Sequence, residues 1–183
     1  MDNNEYDERV VDYYNNLSDV YDELYGEEQN KKIRIIEEIY NRLFGSKVFE
    51  KGLDYGCGTG ISSIFLSKIS KEVYIYDISE KMIEIAKNKV KNAIPVKIND
   101  LGNYLGFFDV VLSVTVLQDS KDPEKDLELI FKLLKEEGLL ILSVLKKKGL
   151  AFWKPLIKKY FNIIWFYEED KDFIFFLIKK IKL

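Results

Sequence analysis

The segment Leu53-Asp54-Tyr55-Gly56-Cys57-Gly58-Thr59-Gly60 holds the residue types and spacing best suited to chemistry in this 183-residue chain. Three alternating glycines let backbone N–H groups approach a ligand with no Cβ in the way. The apolar residues before them, and Ile61, Ile64, Phe65 and Ile69 after them, set the glycines between a strand and a helix, as a nucleotide loop requires. The spacing narrows the ligand. A dinucleotide fingerprint needs glycine at the third position after the second glycine, and that position is Ile61. No Gly-Lys-Ser/Thr follows, which excludes a phosphate loop of the ATPase kind. Asp54, two residues before Gly56, would repel a pyrophosphate; a zwitterionic or cationic ligand suits this turn better.

Further polar groups fall where apolar runs end. Asp77 closes the run Val73 to Tyr76, 17 residues after Gly60. Asp100 and Leu101 follow Ile94 to Ile98, and Ser113 lies at the end of Phe108 to Val114. In a doubly wound sheet these strand ends are where the ligand sits. Cys57 reads as a small spacer in the loop and Asp109 as structural. The chain has no histidine and one cysteine, which removes histidine bases, Ser-His-Asp triads and His-ligated metals; no metal is expected. The remaining candidates for the reacting end are Gln118, Asp119 and Asp122 after the fourth strand, and Tyr21 from the first helix.

The elements that must position these groups follow from periodicity. Residues 6–25 read as a helix with Tyr14, Leu17, Tyr21 and Tyr25 on one face, interrupted at Gly26. A second helix is expected over 28–43 and ends at Gly45. From residue 51 strands and helices alternate. Ser79 is an N-cap, and Asp122 before Pro123 is another. Ile94 to Ile98 is expected as a third strand, and Pro95 puts it at a sheet edge. Gly138 should end the helix that begins at Pro123, with Leu139 to Leu145 as the fifth strand. A helix over 152–161 would hold Pro155 in its first turn. Ile163 to Tyr167 and Phe173 to Ile178 are joined by so short a link that only an antiparallel hairpin fits. The count is seven strands, in a doubly wound α/β domain with an antiparallel ending.

Asp54 to Gly60 resembles the first motif of class I S-adenosylmethionine-dependent methyltransferases, and the resemblance runs from about residue 50 to the C-terminus. It implies a Rossmann-like sheet of order 3-2-1-4-5-7-6, residues 46–183 as the methyltransferase domain and residues 1–45 as an N-terminal helical cap. S-adenosylmethionine is the implied cofactor. Its implied holders are Asp54, Gly56, Cys57, Gly58, Thr59, Gly60, Asp77, Ile78, Asp100, Leu101 and Ser113. Among these, Asp77 matches the acid that holds both ribose hydroxyls, and Ile78 the residue under the adenine. Asp100 and Leu101 match the pair that reads the adenine edge. Ser113 matches a position lining the methionine part, whose amino group Asp54 helps orient. The stretch Ser113 to Asp119 lacks the Asn/Asp-Pro-Pro-aromatic signature of adenine or glutamine methylation. It looks more like the small-molecule and transfer-RNA-modifying type 11 branch, whose members frequently carry histidines where Gln118 and Asp119 stand. Certain relatives of this size pair the 94–98 edge with a small zinc-binding activator, which is carried over as an expected partner.

Charge orders the acceptor classes. Residues 1–30 carry ten acids and one base, whereas residues 146–183 carry ten lysines and four acids. Lys146, Lys147 and Lys148 follow the fifth strand on the cofactor edge, where a phosphate backbone could be held. RNA is therefore the acceptor expected first, ahead of a small molecule and a protein. The rival readings are a small-molecule methyltransferase closed by the cap, with Tyr14, Tyr21, Tyr25 and Gln29 facing the site, and a cofactor-binding regulatory subunit without turnover. The acidic N-terminus is unlike a signal peptide, and the longest late apolar run, Phe173 to Ile178, is far below the ~18 residues that span a bilayer. A soluble, cytoplasmic protein is expected, with no membrane partner.

Overall fold

The computed structural model describes residues 3–181. Two helices, α1 (Asn3–Leu17) and α2 (Tyr21–Phe44), precede an alternating series. It runs β1 (Phe49–Tyr55), α3 (Ile61–Ile69), β2 (Ser70–Tyr76), α4 (Glu80–Lys89), β3 (Ile94–Pro95) and β4 (Phe108–Val114), then α5 (Pro123–Leu133), β5 (Leu134–Leu145), α6 (Leu150–Tyr160), β6 (Phe161–Glu168) and β7 (Asp172–Lys179). The strands form one sheet of order β3-β2-β1-β4-β5-β7-β6. β1 to β5 are parallel, and the β6–β7 hairpin adds antiparallel to β5. This is the expected seven-stranded doubly wound sheet.

The central strands are apolar on both faces because both faces are covered. On one side Ile33, Ile36 and Tyr40 of α2 and Phe65 and Leu66 of α3 pack on Val110, Leu112, Ile141 and Phe176. On the other, Leu127 and Ile130 of α5 and Trp153 and Ile157 of α6 pack on Val111, Leu140, Leu142 and Phe175.

Four boundaries differ from the sequence reading. The first two helices break at Ser18–Val20, where the Ser18 hydroxyl donates to the Asn15 carbonyl, and not at Gly26. A lone glycine costs a helix only about 1 kcal/mol, and the apolar face of α2 beyond it is anchored in the core. β3 is two residues long, not five; after Pro95, which has no N–H for the ladder, the chain turns into a 3₁₀ helix, Ile98–Tyr104. α5 ends at Leu133, five residues before Gly138. The Gly106 and Phe107 N–H groups take the carbonyls of Lys132 and Leu133, and Leu134 already pairs with Phe108. α6 begins at Leu150, so Pro155 is its sixth residue rather than part of its first turn.

One acid of the head meets one base of the tail: Glu28 pairs with Lys171 at 2.5 Å. Lys31 also pairs with Asp170 at 2.9 Å, and Asp22 with Lys89 of α4. These contacts tie α2 to the β6–β7 hairpin and to α4. Lys182, counted in the basic tail, lies outside the described residues.

Candidate functional site

The loop after β1 is shaped by glycine. Gly56 has φ +80°, and a Cβ there would lie 2.4 Å from Val116 Cγ2. Gly58 has φ +51° with open space where a Cβ would be, and its N–H donates to Asp77 Oδ2 at 2.9 Å. Asp77 sits at the end of β2 and accepts the Ser79 N–H on its other oxygen, also at 2.9 Å. Burial raises its pKa, while the N–H groups of Ser79, Gly58 and Ile78 oppose the rise. Ser79 caps α4 as expected, accepting the Met82 N–H, and its hydroxyl donates to Asn15 Oδ1 of α1 at 2.6 Å.

These groups border a cavity of about 500 Å³ at the C-terminal ends of the parallel strands. Gly56, Gly58, Asp77, Ile78 and Leu101 of the expected cofactor set line it. Met82 and Ile98 extend the apolar side beside Ile78 and Leu101. Its charged lining is Asp77, Asp119, Asp122 and Asp126 against Lys121 and Lys125, an excess of acid. Tyr55, from the end of β1, donates its hydroxyl to Asp126 at 2.7 Å.

The rest of the expected set stands behind or beside the cavity. Asp54 is fully buried; its Oδ2 accepts the hydroxyls of Ser62 and Ser63 at 2.7 and 2.6 Å, and its Oδ1 has no partner. Burial pushes its carboxyl up to about 6, against the pull of the two serines. The Ser113 hydroxyl is buried and also without a partner. Cys57 is buried, and burial holds its thiol well above the usual range, so it is no thiolate nucleophile. Thr59 donates to Asp22 of α2 at 2.5 Å, and Gly60 packs on Ala86 of α4. Asp100 is exposed on the 3₁₀ helix after β3 and does not line the cavity; its neighbours Leu101 and Ile98 do.

A second chamber of about 540 Å³ lies between α1, α2 and the turn after β4. Tyr13, Tyr14, Tyr21 and Tyr25 line it with Gln29, Gln118 and Asp119. The two cavities share Val10, Tyr14, Tyr21, Thr115 and Asp119. At this junction the Tyr14 hydroxyl donates to Asp119 Oδ2 at 3.2 Å, and Gln118 Nε2 donates to the same oxygen at 2.9 Å. Burial raises the Tyr14 hydroxyl, with the Asp119 charge adding to it. Tyr21 is pushed up to about 12 by burial, then by Asp77 and its other neighbours. Both phenols therefore donate hydrogen bonds near neutral pH and do not accept protons. Of the four candidates for the reacting end, Asp119 has the chemistry of a base, Gln118 orients it, Tyr21 lines both cavities, and Asp122 borders the first cavity while its Oδ1 caps α5 on the Lys125 N–H.

Sequence reasoning missed what lies beneath this junction. Thr115, a β-branched residue, adopts φ +57°. All of its polar groups are engaged. Its hydroxyl meets Lys32 Nζ at 2.5 Å and Asp172 Oδ2 at 3.1 Å, its N–H donates to Ser143 Oγ at 3.0 Å, and its carbonyl accepts Gln118 Nε2 at 2.7 Å. Lys32 and Asp172 pair at 2.9 Å while 1% and 0% exposed. The available signal was a lysine four residues before Ile36, on the apolar face of its helix, and an acid opening an otherwise apolar strand.

Among the described residues, no group of three or more His, Cys, Asp or Glu could hold a metal ion, and no helix is long and apolar enough to cross a membrane. Residues 25–173 match a family model described as a methyltransferase domain. The chain is 30% identical over 142 residues, 72% of its length, to a Bacillus subtilis protein named as a methyltransferase, YqeM, and covers 55% of it. It is 33% identical to the ribosomal protein L11 methyltransferase of a Thermoanaerobacter species, over 64% of this chain and 39% of that one. It is 28% identical to the ubiquinone biosynthesis O-methyltransferase of Proteus mirabilis, over 69% and 53%. The chain thus spans about half the length of the curated relatives it matches. Among solved structures, magnesium protoporphyrin IX methyltransferase from Synechocystis, with bound S-adenosylmethionine, superposes with TM-score 0.76 at 22% identity, covering 98% of both chains. The N-methyltransferase NodS from Bradyrhizobium japonicum, in complex with S-adenosylhomocysteine, gives 0.65 at 15%, covering 84% and 86%. The chain belongs to the S-adenosylmethionine-dependent methyltransferase family of class I fold.

Proposed function

We propose that this chain moves a methyl group from S-adenosylmethionine to a small molecule seated in the tyrosine-lined chamber under residues 1–45, which act as a cap on the domain formed by 46–183. The carrying observation is that the two cavities meet at Tyr14, Tyr21, Thr115 and Asp119, so a donor in one abuts an acceptor in the other. The residues fit the donor. Its sulfonium and ammonium suit a cavity with an excess of acid and a buried Asp54 oxygen without a partner. Asp77 would hold the ribose hydroxyls by charge-assisted hydrogen bonds, and Ile78, Leu101, Ile98 and Met82 would flank the adenine. Bound S-adenosylmethionine supplies an activated methyl group, so this chain mainly has to align the acceptor and exclude water. Asp119, held by Tyr14 and Gln118, is placed to take the proton an alcohol or ammonium acceptor releases.

The acceptors named for the relatives include a ribosomal protein and a step of ubiquinone biosynthesis, and they do not choose among classes. The position of the lysines lowers the standing of RNA. Lys146 pairs with Glu168 at 2.8 Å, Lys148 lies over the rings of Phe152 and Trp153, and none of Lys146, Lys147 and Lys148 lines either cavity. The 94–98 edge has only two strand residues, Ile94 and Pro95, to offer an activator. Incubation with methyl-labelled S-adenosylmethionine and separate metabolite, RNA and protein fractions tests the reading. Label should enter the metabolite fraction; label in RNA or protein alone would contradict it, and no label in any fraction would favour a regulatory subunit.

A further inference from the structure

The outermost strand on the hairpin side carries, among the described residues, the longest unbroken run of exposed large apolar side chains. β6 ends the sheet and, among the described residues, pairs only with β7, so its outer row of N–H and C=O groups has no partner strand. Along it run four consecutive large apolar residues, Ile164, Trp165, Phe166 and Tyr167, which are 41%, 44%, 38% and 42% exposed. They occupy both faces of the sheet. Phe166 packs against Phe173 and Phe175 on the α6 side, whereas Trp165 stands opposite Phe176 on the α2 side. From Phe161 to Tyr167 there is no proline and no charge; a single bulge between Ile163 and Trp165 is the only device that blunts the edge. An apolar run of this kind on a soluble surface marks a place that another surface covers.

The charges flanking the strand point to the occupant. Lys158 and Lys159 precede β6; Glu168 ends it and Asp170, 83% exposed, follows. Lys159, Glu168 and Asp170 also hold surface pairs within the chain, with Glu124, Lys146 and Lys31, which a partner's charges would share. Two copies of β6 laid antiparallel about a two-fold axis would set the lysine end of each beside the acidic end of the other, so the strand is its own charge complement. The acids beside the aromatic end disfavour an anionic lipid surface, which would attract a purely basic rim. We propose that β6 is a dimer interface, in which the β6 strands of two copies pair antiparallel and continue the sheet from one protomer into its partner. Trp165, Phe166 and Tyr167 form the apolar centre and the lysine and acid ends form the rim.

The test uses the full chain. Light scattering during size exclusion should give twice the 21.6 kDa chain mass at micromolar concentration. Trp165→Lys, with circular dichroism confirming the fold, should run as a monomer. Lys158→Glu and Asp170→Lys, each alone, should weaken dimerisation about tenfold by placing like charges across the axis. An equimolar mixture of those two chains should recover wild-type affinity, because every cross-axis pair is then of opposite sign. A wild-type monomer throughout, or an unaltered Trp165→Lys dimer, would overturn the proposal. So would failure of the mixture to recover. A monomer that sediments with phosphatidylglycerol vesicles would overturn it in favour of a lipid surface.

Discussion

Replacing Lys32 by methionine keeps the length of the side chain and removes its ammonium. In the native protein that ammonium lies 2.9 Å from Asp172 Oδ2, with both residues essentially inaccessible to water. Without it the Asp172 carboxylate keeps one hydrogen bond, from Thr115 at 3.1 Å, and its Oδ1 has none. Breaking a buried pair from one side costs about 3–5 kcal/mol, because a charge is left in a medium that cannot solvate it. That is a large part of the ~5–15 kcal/mol that holds a domain of this size. Equilibrium urea unfolding of Lys32→Met at pH 7 should show a fall of this size in the extrapolated stability. The double variant Lys32→Met/Asp172→Asn should regain most of it, because an unpaired amide costs only about 1–3 kcal/mol. A loss below about 1 kcal/mol, or a double variant no more stable than Lys32→Met alone, would refute the reasoning.

Three further outcomes follow. Asp54, raised to about 6 by burial, contributes stability that is full below its unfolded value near 4 and lost as pH rises through about 6, about 3 kcal/mol in all; Asp54→Asn should flatten that slope in pH-dependent thermal unfolding, and S-adenosylhomocysteine should bind the native protein more tightly above pH 6 than below. Asp119→Asn should lower kcat/KM for the acceptor by about a hundredfold or more while leaving S-adenosylhomocysteine affinity within about twofold, measured by steady-state kinetics beside calorimetry. Gly56→Ala puts a Cβ 2.4 Å from Val116 at a positive φ and should cost about 1–3 kcal/mol in urea unfolding.

The fold was legible because its signals are local and mutually consistent. Glycines, caps and two-face apolar strands each announce themselves within a few residues, as at Gly56, Ser79 and Ile141. What was not legible depends on contacts between distant segments. The end of α5 is set by N–H groups of Gly106 and Phe107, more than 20 residues upstream, and no propensity at Gly138 reports them. The continuity of α2 through Gly26 is decided by the burial of Ile33 and Ile36 against α3, which outweighs one glycine. In the candidate site, Asp77 and Gly58 line the cavity where the resemblance implied, whereas Asp100, implied by the same resemblance, stands exposed on a 3₁₀ helix from which Ile98 and Leu101 face the cavity. Thr115, Lys32 and Asp172 come from three separate elements, and only the folded chain brings them together.

Calorimetric titration of the protein with S-adenosylhomocysteine tests the central claim most directly. The account predicts one site per chain, and Asp77→Ala should weaken it at least tenfold, because the carboxylate that lines the cavity is lost while the glycine loop remains. Absence of binding by the native protein, or equal affinity in Asp77→Ala, would contradict it.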